Sequence, residues 1–404
     1  MINLETPKKF GPLVSQAHQV ATEVFRPISR KYDVAEHEYP KELDMLASLI
    51  DGMNEGSDIG GAGATGVRRE SKDKDDGSNR NGSNLSTVLG VIELCWGDVG
   101  LLLTMPRQGL GNSAIASVAT DEQLEQYGGK WAAMAITEPE AGSDSASIRT
   151  TAELDGDEYV LNGEKIYVTS GERADLVVVW ASLDRSKGRA AIKSFIVERS
   201  NPGMKLDRLE HKLGIRASDT AAFILDDCRV PKEALLGSPE VDVKAGFGGA
   251  MQTFDNTRPL VAAMAVGVGR ASLDETRLRL TEAGVEIDYS RPALGQSAAA
   301  ARFLEMEADY EAARLLTLQA AWMADNGKPN SLQASMAKAK AGRMCVDVSL
   351  GCVELCGAFG YGENELLEKW ARDAKILDIF EGTQQIQLLI VARQLLGKTS
   401  AELK

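Results

Sequence analysis

In the stretch Glu158-Tyr-Val-Leu-Asn-Gly-Glu-Lys-Ile-Tyr-Val168, two short apolar runs flank Asn162-Gly163. An Asn-Gly pair between such runs is a strong β-hairpin signal. Three more apolar runs follow it, each bounded by turn residues: Asp175–Trp180, Ser194–Val197 and Ala221–Leu225. Short runs at this spacing predict a small antiparallel barrel or sandwich over residues 128–240.

On both sides of this region the apolar residues recur at helical spacing. Residues 1–127 contain two such stretches, within Phe10–Phe25 and Asn84–Val118. Residues 241–404 contain five candidate helices: Arg258–Thr281, Ala298–Asp325, Leu332–Leu355, Glu365–Leu377 and Thr383–Leu396. The order of helices, strands and helices predicts a mainly α protein of three domains, with a β-barrel domain in the middle. We place the domain limits at 127/128 and 240/241.

Composition excludes several classes of function. The 404-residue chain has 45 Lys and Arg against 59 Asp and Glu, a formal net charge of −14, which repels nucleic-acid phosphates and anionic membranes. No apolar run approaches the ~20 residues of a membrane-spanning helix, and the N-terminus lacks the apolar run of a signal peptide. Five thinly spread cysteines are typical of a reducing compartment. We therefore expect a cytoplasmic protein that neither binds nucleic acid nor spans a membrane.

Two patterns that could indicate a cofactor or a metal have simpler explanations. The segment Gly61-Ala-Gly-Ala-Thr-Gly66 fits the dinucleotide pattern GxGxxG, but no strand precedes it and no amphipathic helix follows it. It lies in Asp51–Ser83, which is poor in apolar residues and is predicted to be a long mobile loop. Cys345, Cys352 and Cys356 could share a helix face, but no histidine lies near them in the sequence. We predict buried thiols there, and no metal centre.

Five short motifs carry more specific signals: Ile136–Asp144, Lys165–Gly171, Leu213–Thr220, Phe254–Pro259 and Arg372–Gln387. The fourth motif predicts a helix that starts at Pro259. In the fifth motif, Glu381 follows the apolar Ile379-Phe380 and precedes a Gly-Thr break before a new helix. A carboxylate in such a place tends to be desolvated, which raises its pKa toward the range useful for a general base.

In this order and at these separations the five motifs resemble the acyl-CoA dehydrogenase family, from about residue 90 to the C-terminus. The resemblance implies a helical N-terminal domain, a β-barrel and a C-terminal four-helix bundle. It implies FAD as cofactor and α,β-dehydrogenation of an acyl-CoA thioester to the trans-2-enoyl-CoA. It also implies that electrons pass to an electron-transfer flavoprotein.

The resemblance assigns roles by position. Glu381 matches the catalytic base, which takes the α-proton while the β-hydrogen leaves as hydride to the flavin. Some branches of the family place the base where this chain has Thr257, which cannot serve. The residues assigned to the flavin cofactor are Met134, Ile136, Thr137, Ser143, Tyr167, Thr169, Thr383 and Gln385. Those assigned to the acyl-CoA are Ser143, Asp255, Arg258 and Gly382.

One half of the cofactor site departs from the family pattern. Members complete each FAD site with an Arg and a Gln from the neighbouring subunit, which hold the pyrophosphate and the adenine. The aligned positions here carry Glu286 and Glu354, although a shifted alignment puts Arg291 at the Arg position. A carboxylate repels a pyrophosphate. We therefore expect a dimer or tetramer in which a paralogous acyl-CoA dehydrogenase chain completes the site.

Two other functions stay open at this point. An oxidase or monooxygenase of the same fold would use O₂ directly, and Glu381 argues against those relatives that replace the base. A structural subunit that binds little FAD would support a related chain; Glu354 favours this hypothesis and Glu381 opposes it. The sequence does not select among short, branched, long and steroid side-chain thioesters.

Overall fold

The computed structural model describes residues 6–47, 81–106, 110–241, 248–399 and 402, and for residues 248–256 it describes the backbone only. Helices occupy both ends of the described chain and strands lie between them. The predicted loop 51–83 lies outside the described residues except for 81–83. The GxGxxG segment lies wholly outside them.

The N-terminal part is helical. The bounds are α1 (Gly11–Val20), α2 (Arg26–Val34), α3 (residues 42–47), α4 (Ser83–Gly97), α5 (Val99–Thr104), α6 (Leu110–Val118) and α7 (Asp121–Tyr127). A π-helical turn, Ala21–Phe25, joins α1 to α2. At the start of α4 the backbone N–H groups of Gly82, Asn84 and Leu85 donate to the Asp325 carboxylate. Because the first N–H groups of a helix have no intrahelical acceptor, this contact ties α4 to the C-terminal helices.

Within the described residues, seven strands form one sheet in the middle of the chain. They are β1 (Ala132–Ala135), β2 (Thr151–Asp155), β3 (Glu158–Thr169), β4 (Leu176–Ser182), β5 (Ile192–Glu198), β6 (Met204–Leu209) and β7 (Thr220–Pro231). The strand order is β1-β4-β2-β3-β7-β6, and β5 pairs with β4. Both β1 and β2 run parallel to β4, so the prediction of a purely antiparallel arrangement is wrong. The domain limits at 127/128 and 240/241 stay a prediction.

The predicted hairpin at Asn162-Gly163 is also wrong, because β3 continues through this pair with a bulge opposite β7. The turn lies six residues earlier, at Gly156-Asp157 between β2 and β3, where Gly156 has a φ of 66°. A Gly-Asp pair between two strands is itself a two-residue hairpin signal. Gly163 serves a close approach instead: a Cβ there would lie 2.4 Å from Thr150 Oγ1.

The C-terminal part consists of α8 (Gly248–Glu282), α9 (Ala298–Asp325), α10 (Ser331–Tyr361), α11 (Leu367–Leu377) and α12 (Gln384–Leu396). Pro259 lies inside α8, so the prediction that a helix starts there is wrong. By length and composition α10 could cross a membrane. It packs against α8, α9, α11 and α12, and this packing accounts for its apolar residues.

Candidate active site

Glu381 lies in the turn between α11 and α12. The φ angles of Glu381 and Gly382 are 52° and 88°, in the left-handed region that costs a non-glycine residue free energy. Buried Gln387 donates from Nε2 to the carbonyls of Glu381 (3.2 Å) and Gly382 (3.3 Å), and Lys338 Nζ donates to the Gly382 carbonyl at 2.8 Å. These bonds from α10 and α12 hold the strained turn in place.

The carboxylate of Glu381 faces side chains of α8 and α10. Burial raises the pKa of Glu381, and a hydrogen bond from Thr257 and the positive charges of Lys338 and Arg258 offset part of that rise. Its Oε2 atom is buried without a hydrogen-bond partner among the described residues. A carboxylate with a raised pKa and an unengaged oxygen is suited to accept a proton.

The two cations near Glu381 are buried themselves. Lys338 is 1% exposed, and burial lowers its pKa to about 8 although Glu381 and Asp378 oppose that shift. Arg258 is 3% exposed, and its positive charge lowers the pKa of both Lys338 and Glu381. Its predicted contact with the acyl-CoA stays a prediction, because what the structure shows is this proximity to Glu381.

The first two motifs meet at the ends of β1 and β3. The Ile166 N–H donates to the Thr137 carbonyl at 3.0 Å. The next residue, Tyr167, has a φ of 57° at a bulge in β3, and it is 62% exposed. Bulges re-aim side chains beside functional sites. Of the other residues assigned to the flavin from these motifs, Ile136 is buried, Met134, Thr137 and Thr169 are half-buried, and Ser143 is exposed.

Sequence reasoning did not identify the buried ion pair that fixes these motifs together. Lys165 Nζ lies 2.7 Å from Glu138 Oε1, and both side chains are buried. Glu138 also accepts from the backbone N–H groups of Arg149 and Thr150 and from the Thr150 hydroxyl. Burial lowers the pKa of Lys165 to about 8, with Glu138 opposing the shift. The network fixes the loop that carries Ser143 against β3. The sequence feature that could have indicated this ion pair is Lys165 itself, a lysine that lies between two apolar runs.

The third motif connects the sheet to the base. The Ile215 N–H donates to Asp373 Oδ1 at 2.5 Å, and Asp373 lies in α11, which leads into the Glu381 turn. Lys369 joins Asp373 (2.6 Å) to Asp98 (2.7 Å), and all three side chains are buried. A Cβ on Gly214 would lie 2.5 Å from the Arg372 backbone, so the motif requires glycine here.

Known proteins are similar to this chain in sequence and in fold. The family models for the middle and C-terminal domains of acyl-CoA dehydrogenases match residues 133–228 and 244–396. A short-chain specific acyl-CoA dehydrogenase of Clostridium acetobutylicum is 36% identical over 77% of this chain and 82% of its own. The chain belongs to the acyl-CoA dehydrogenase family. It is therefore an oxidoreductase that acts on CH–CH groups of an acyl-CoA, as its sequence predicted.

Two further relatives support the same fold and family. The structure of butyryl-CoA dehydrogenase from Megasphaera elsdenii has a TM-score of 0.82 and 31% identity, and the match covers 98% of this chain and 100% of the other. Subunit CarC of the caffeyl-CoA reductase-Etf complex of Acetobacterium woodii is 35% identical over 78% of this chain and 84% of its own. The predicted order of a helical part, a β domain and a second helical part is confirmed.

The remaining site residues predicted from the family lie in the C-terminal part. Thr383 caps α12, where its hydroxyl oxygen accepts from the Ile386 N–H at 3.3 Å, and Gln385 in the first turn is exposed. Gly382 follows Glu381 in the strained turn. Asp255 lies in α8, and its side chain is outside the described part. The N-terminus of α12 favours an anion beside Thr383.

In this acyl-CoA dehydrogenase, the positions predicted to form the neighbour-side half of the FAD site carry two glutamates, and their role there stays a prediction. Glu286 and Glu354 are both exposed. Arg291, the alternative cation, places Nε 3.0 Å from Asp288 Oδ2. The cation of the shifted alignment is thus already paired with a carboxylate of its own loop.

Proposed function

We propose that the chain oxidises a short-chain acyl-CoA to its trans-2-enoyl-CoA, with FAD as cofactor and Glu381 as general base. The observation that carries the proposal is the buried Oε2 of Glu381, which has no partner among the described residues and sits in a turn braced by Lys338 and Gln387. The short-chain specificity of the Clostridium relative supports the substrate class.

Several groups around Glu381 contribute to removal of the α-proton, each in a different way. The positive charges of Lys338 and Arg258 oppose the rise in the pKa of Glu381 and so favour its ionised form, which is the form that accepts a proton. The Glu381 backbone N–H, which has no acceptor within the described residues, is available to the thioester carbonyl, and a donor there makes the α-proton more acidic. Glu381 then takes the α-proton on its free oxygen. FAD would supply the acceptor for the hydride that leaves the β-carbon.

The residues present fit the ring side of FAD better than its pyrophosphate side. On the ring side, exposed Tyr167 and half-buried Thr137 lie near the ends of β3 and β1, where the Ile166 N–H donates to the Thr137 carbonyl. On the pyrophosphate side the chain offers Glu286 and Glu354. We propose that a paralogous acyl-CoA dehydrogenase chain supplies the Arg and Gln in a hetero-oligomer. We also propose that this hetero-oligomer is cytoplasmic.

Replacing Glu381 by Gln tests the base. The variant keeps the shape and loses the proton acceptor, so we expect unchanged FAD content and anaerobic flavin reduction by butyryl-CoA that is slower by at least ~10²-fold. Glu363→Gln, an exposed glutamate ahead of α11, is the matched control. Flavin reduction at the parental rate in Glu381→Gln would show that another group removes the proton.

The electron acceptor is tested on the reduced enzyme. We propose an electron-transfer flavoprotein, because the relative CarC belongs to a complex that contains one. Reoxidation should be fast with that protein and slow with air alone. Fast reoxidation by O₂ in its absence would instead favour the oxidase hypothesis.

A further inference from the structure

Two of the three histidines of the chain meet beside one glutamate, away from the residues assigned to catalysis. Glu36 and His37 follow α2, and His211 precedes the third motif. One potential ligand atom from each of the three lies within 4.8 Å of the others. His211 Nδ1 is 2.9 Å from Glu36 Oε2, and the centroids of the two imidazole rings are 5.0 Å apart.

His37 is the residue that points to a ligand. Both of its ring nitrogens are buried, and neither has a hydrogen-bond partner among the described residues. A buried polar atom without a partner costs free energy and calls for an explanation. The backbone of His37 is held in a left-handed conformation, with a φ of 72°, and Arg173 donates to its carbonyl at 3.0 Å. The fold thus keeps this imidazole facing Glu36 and His211 at a conformational cost.

We infer that Glu36, His37 and His211 bind a divalent transition-metal ion, with Zn²⁺ as the best match and water in the remaining position. Two imidazoles and a carboxylate are typical zinc ligands. Tetrahedral zinc holds ligand atoms about 3.4 Å apart, so the His211–Glu36 contact opens by about 0.5 Å and His37 moves closer by at most about 1.4 Å. The ion takes the place of the proton that lies between His211 Nδ1 and Glu36 Oε2, so that His211 binds as a neutral imidazole with its remaining proton on Nε2, and any further proton leaves to solvent.

The groups around Glu36, His37 and His211 determine how tightly this cluster binds a metal ion. Glu36 Oε1 accepts from the Lys212 N–H at 2.9 Å, which orients the carboxylate and leaves Oε2 for the metal. The cations of Arg173, Lys212 and Arg216 act on this cluster and weaken its attraction for a metal ion. Two of them are engaged elsewhere: Arg173 pairs with Asp219 (3.5 Å), and Lys212 Nζ donates to the Ser218 carbonyl (2.8 Å). We therefore expect tighter binding than at a single histidine and weaker binding than at closed four-ligand zinc sites.

A bound ion would join two parts of the chain that are far apart in sequence. Glu36 and His37 end the first helical segment, whereas His211 leads into the loop whose Ile215 N–H binds Asp373. The metal would stabilise the packing of the N-terminal helices on the sheet. Because it binds only the folded arrangement, zinc should raise the melting temperature in a concentration-dependent way.

The test is zinc titration of the chelator-treated, dialysed protein by calorimetry, repeated with Co²⁺ as a spectroscopic probe. His211→Ala is the principal variant, since this side chain is 82% exposed and its loss leaves the core intact. His37→Ala is the second. His18→Ala is the matched control, because it removes the third histidine, which forms a similar pair with Glu93 at 3.0 Å.

We expect one zinc ion per chain in the parent and in His18→Ala, with a rise in melting temperature in both. Binding should be at least about tenfold weaker in His211→Ala and His37→Ala, and zinc should not raise their melting temperatures. No stoichiometric binding by the parent would overturn the inference. So would binding by His211→Ala and His37→Ala with the affinity of the parent. None of these readouts depends on dehydrogenase activity.

Discussion

Lys338 shows what the sequence reveals about a single residue and what it conceals. The fifth motif predicted the burial of Glu381, because its flanking residues are apolar. The run Ala337-Lys-Ala-Lys340 gave no such indication for Lys338, since its two lysines look alike. In α10 Lys340 pairs with Asp309 at the surface, whereas Lys338 lies on the face of buried Ala334, Ala341 and Cys345. The helical period of 3.6 residues places Lys338 and Lys340 on different faces, but the sequence alone does not show which of the two faces is buried.

Replacing Lys338 by Met should change the pH dependence of catalysis. The loss of a positive charge near a buried carboxylate raises its pKa. Because the base must be ionised in the free enzyme, the acid limb of the kcat/KM profile should move to higher pH by on the order of one unit. The rate at alkaline pH should fall less than the rate near neutrality. The measurement is kcat/KM for butyryl-CoA across pH.

Two controls separate this electrostatic role from a structural one. Lys338→Arg keeps the charge and should restore the parental acid limb. Lys340→Met removes a lysine from the exposed face of the same helix and should leave the profile unchanged. An acid limb in Lys338→Met that coincides with that of the parent would show that Lys338 does not set the pKa of Glu381.

Among the elements, β3 departs most from its local pattern. Its sequence contains a hairpin signal at Asn162-Gly163, yet the residues on both sides of this pair belong to one strand and pair with β7. Long-range pairing outweighs the local turn preference here, and the hairpin signal Gly156-Asp157 forms the turn instead. The pairing shifts register after Leu161 and again after Lys165. A single sequence cannot show such bulges, because they depend on the partner strand.

Gly163 should be intolerant of a side chain. A Cβ would lie 2.4 Å from Thr150 Oγ1, and Thr150 donates to Glu138 in the network that fixes the first motif. Gly163→Ala should lower the free energy of unfolding by ~1–3 kcal/mol, as overpacking usually does, measured by urea denaturation. Gly129→Ala, where a Cβ meets nothing within 4 Å, is the control. Equal stability of the two variants would contradict the close packing of Gly163 on Thr150.

For the whole molecule, periodicity was sufficient to predict the order of the elements and several of their bounds. The predicted helix Ala298–Asp325 coincides with α9, because a Ser cap and a regular apolar pattern mark it. Contacts between distant segments escaped prediction. Lys369 with Asp98, and His37 with His211, are brought together by tertiary packing that no local pattern encodes. The sequence therefore predicted the motifs of the candidate site one by one. It did not predict the contacts between charged and titratable groups that connect distant segments.

The assembly should depend on the acidic half-site. Exposed Glu286 and Glu354 are predicted to occupy the positions of the family's Arg and Gln, and Arg291 is paired with Asp288. A homodimer would join each flavin-ring half to an acidic half that repels the pyrophosphate. The chain purified alone should hold clearly less than one FAD per protomer. Coexpressed with a paralogous chain that carries the Arg and Gln, it should form a hetero-oligomer with about one FAD per two chains, as one complete site per pair requires.

Charge replacement distinguishes this assembly from an ordinary homo-oligomer. The double variant Glu286→Arg and Glu354→Gln restores the family pattern on one chain, so its FAD content alone should rise toward one per protomer, measured by absorbance after unfolding. Glu363→Gln controls for a general change in charge. If the parent alone already forms a homo-oligomer with one FAD per chain and full activity, the hetero-oligomer is wrong. Arg291 would then have to leave Asp288 for the pyrophosphate, and Arg291→Ala should release the cofactor from that homo-oligomer.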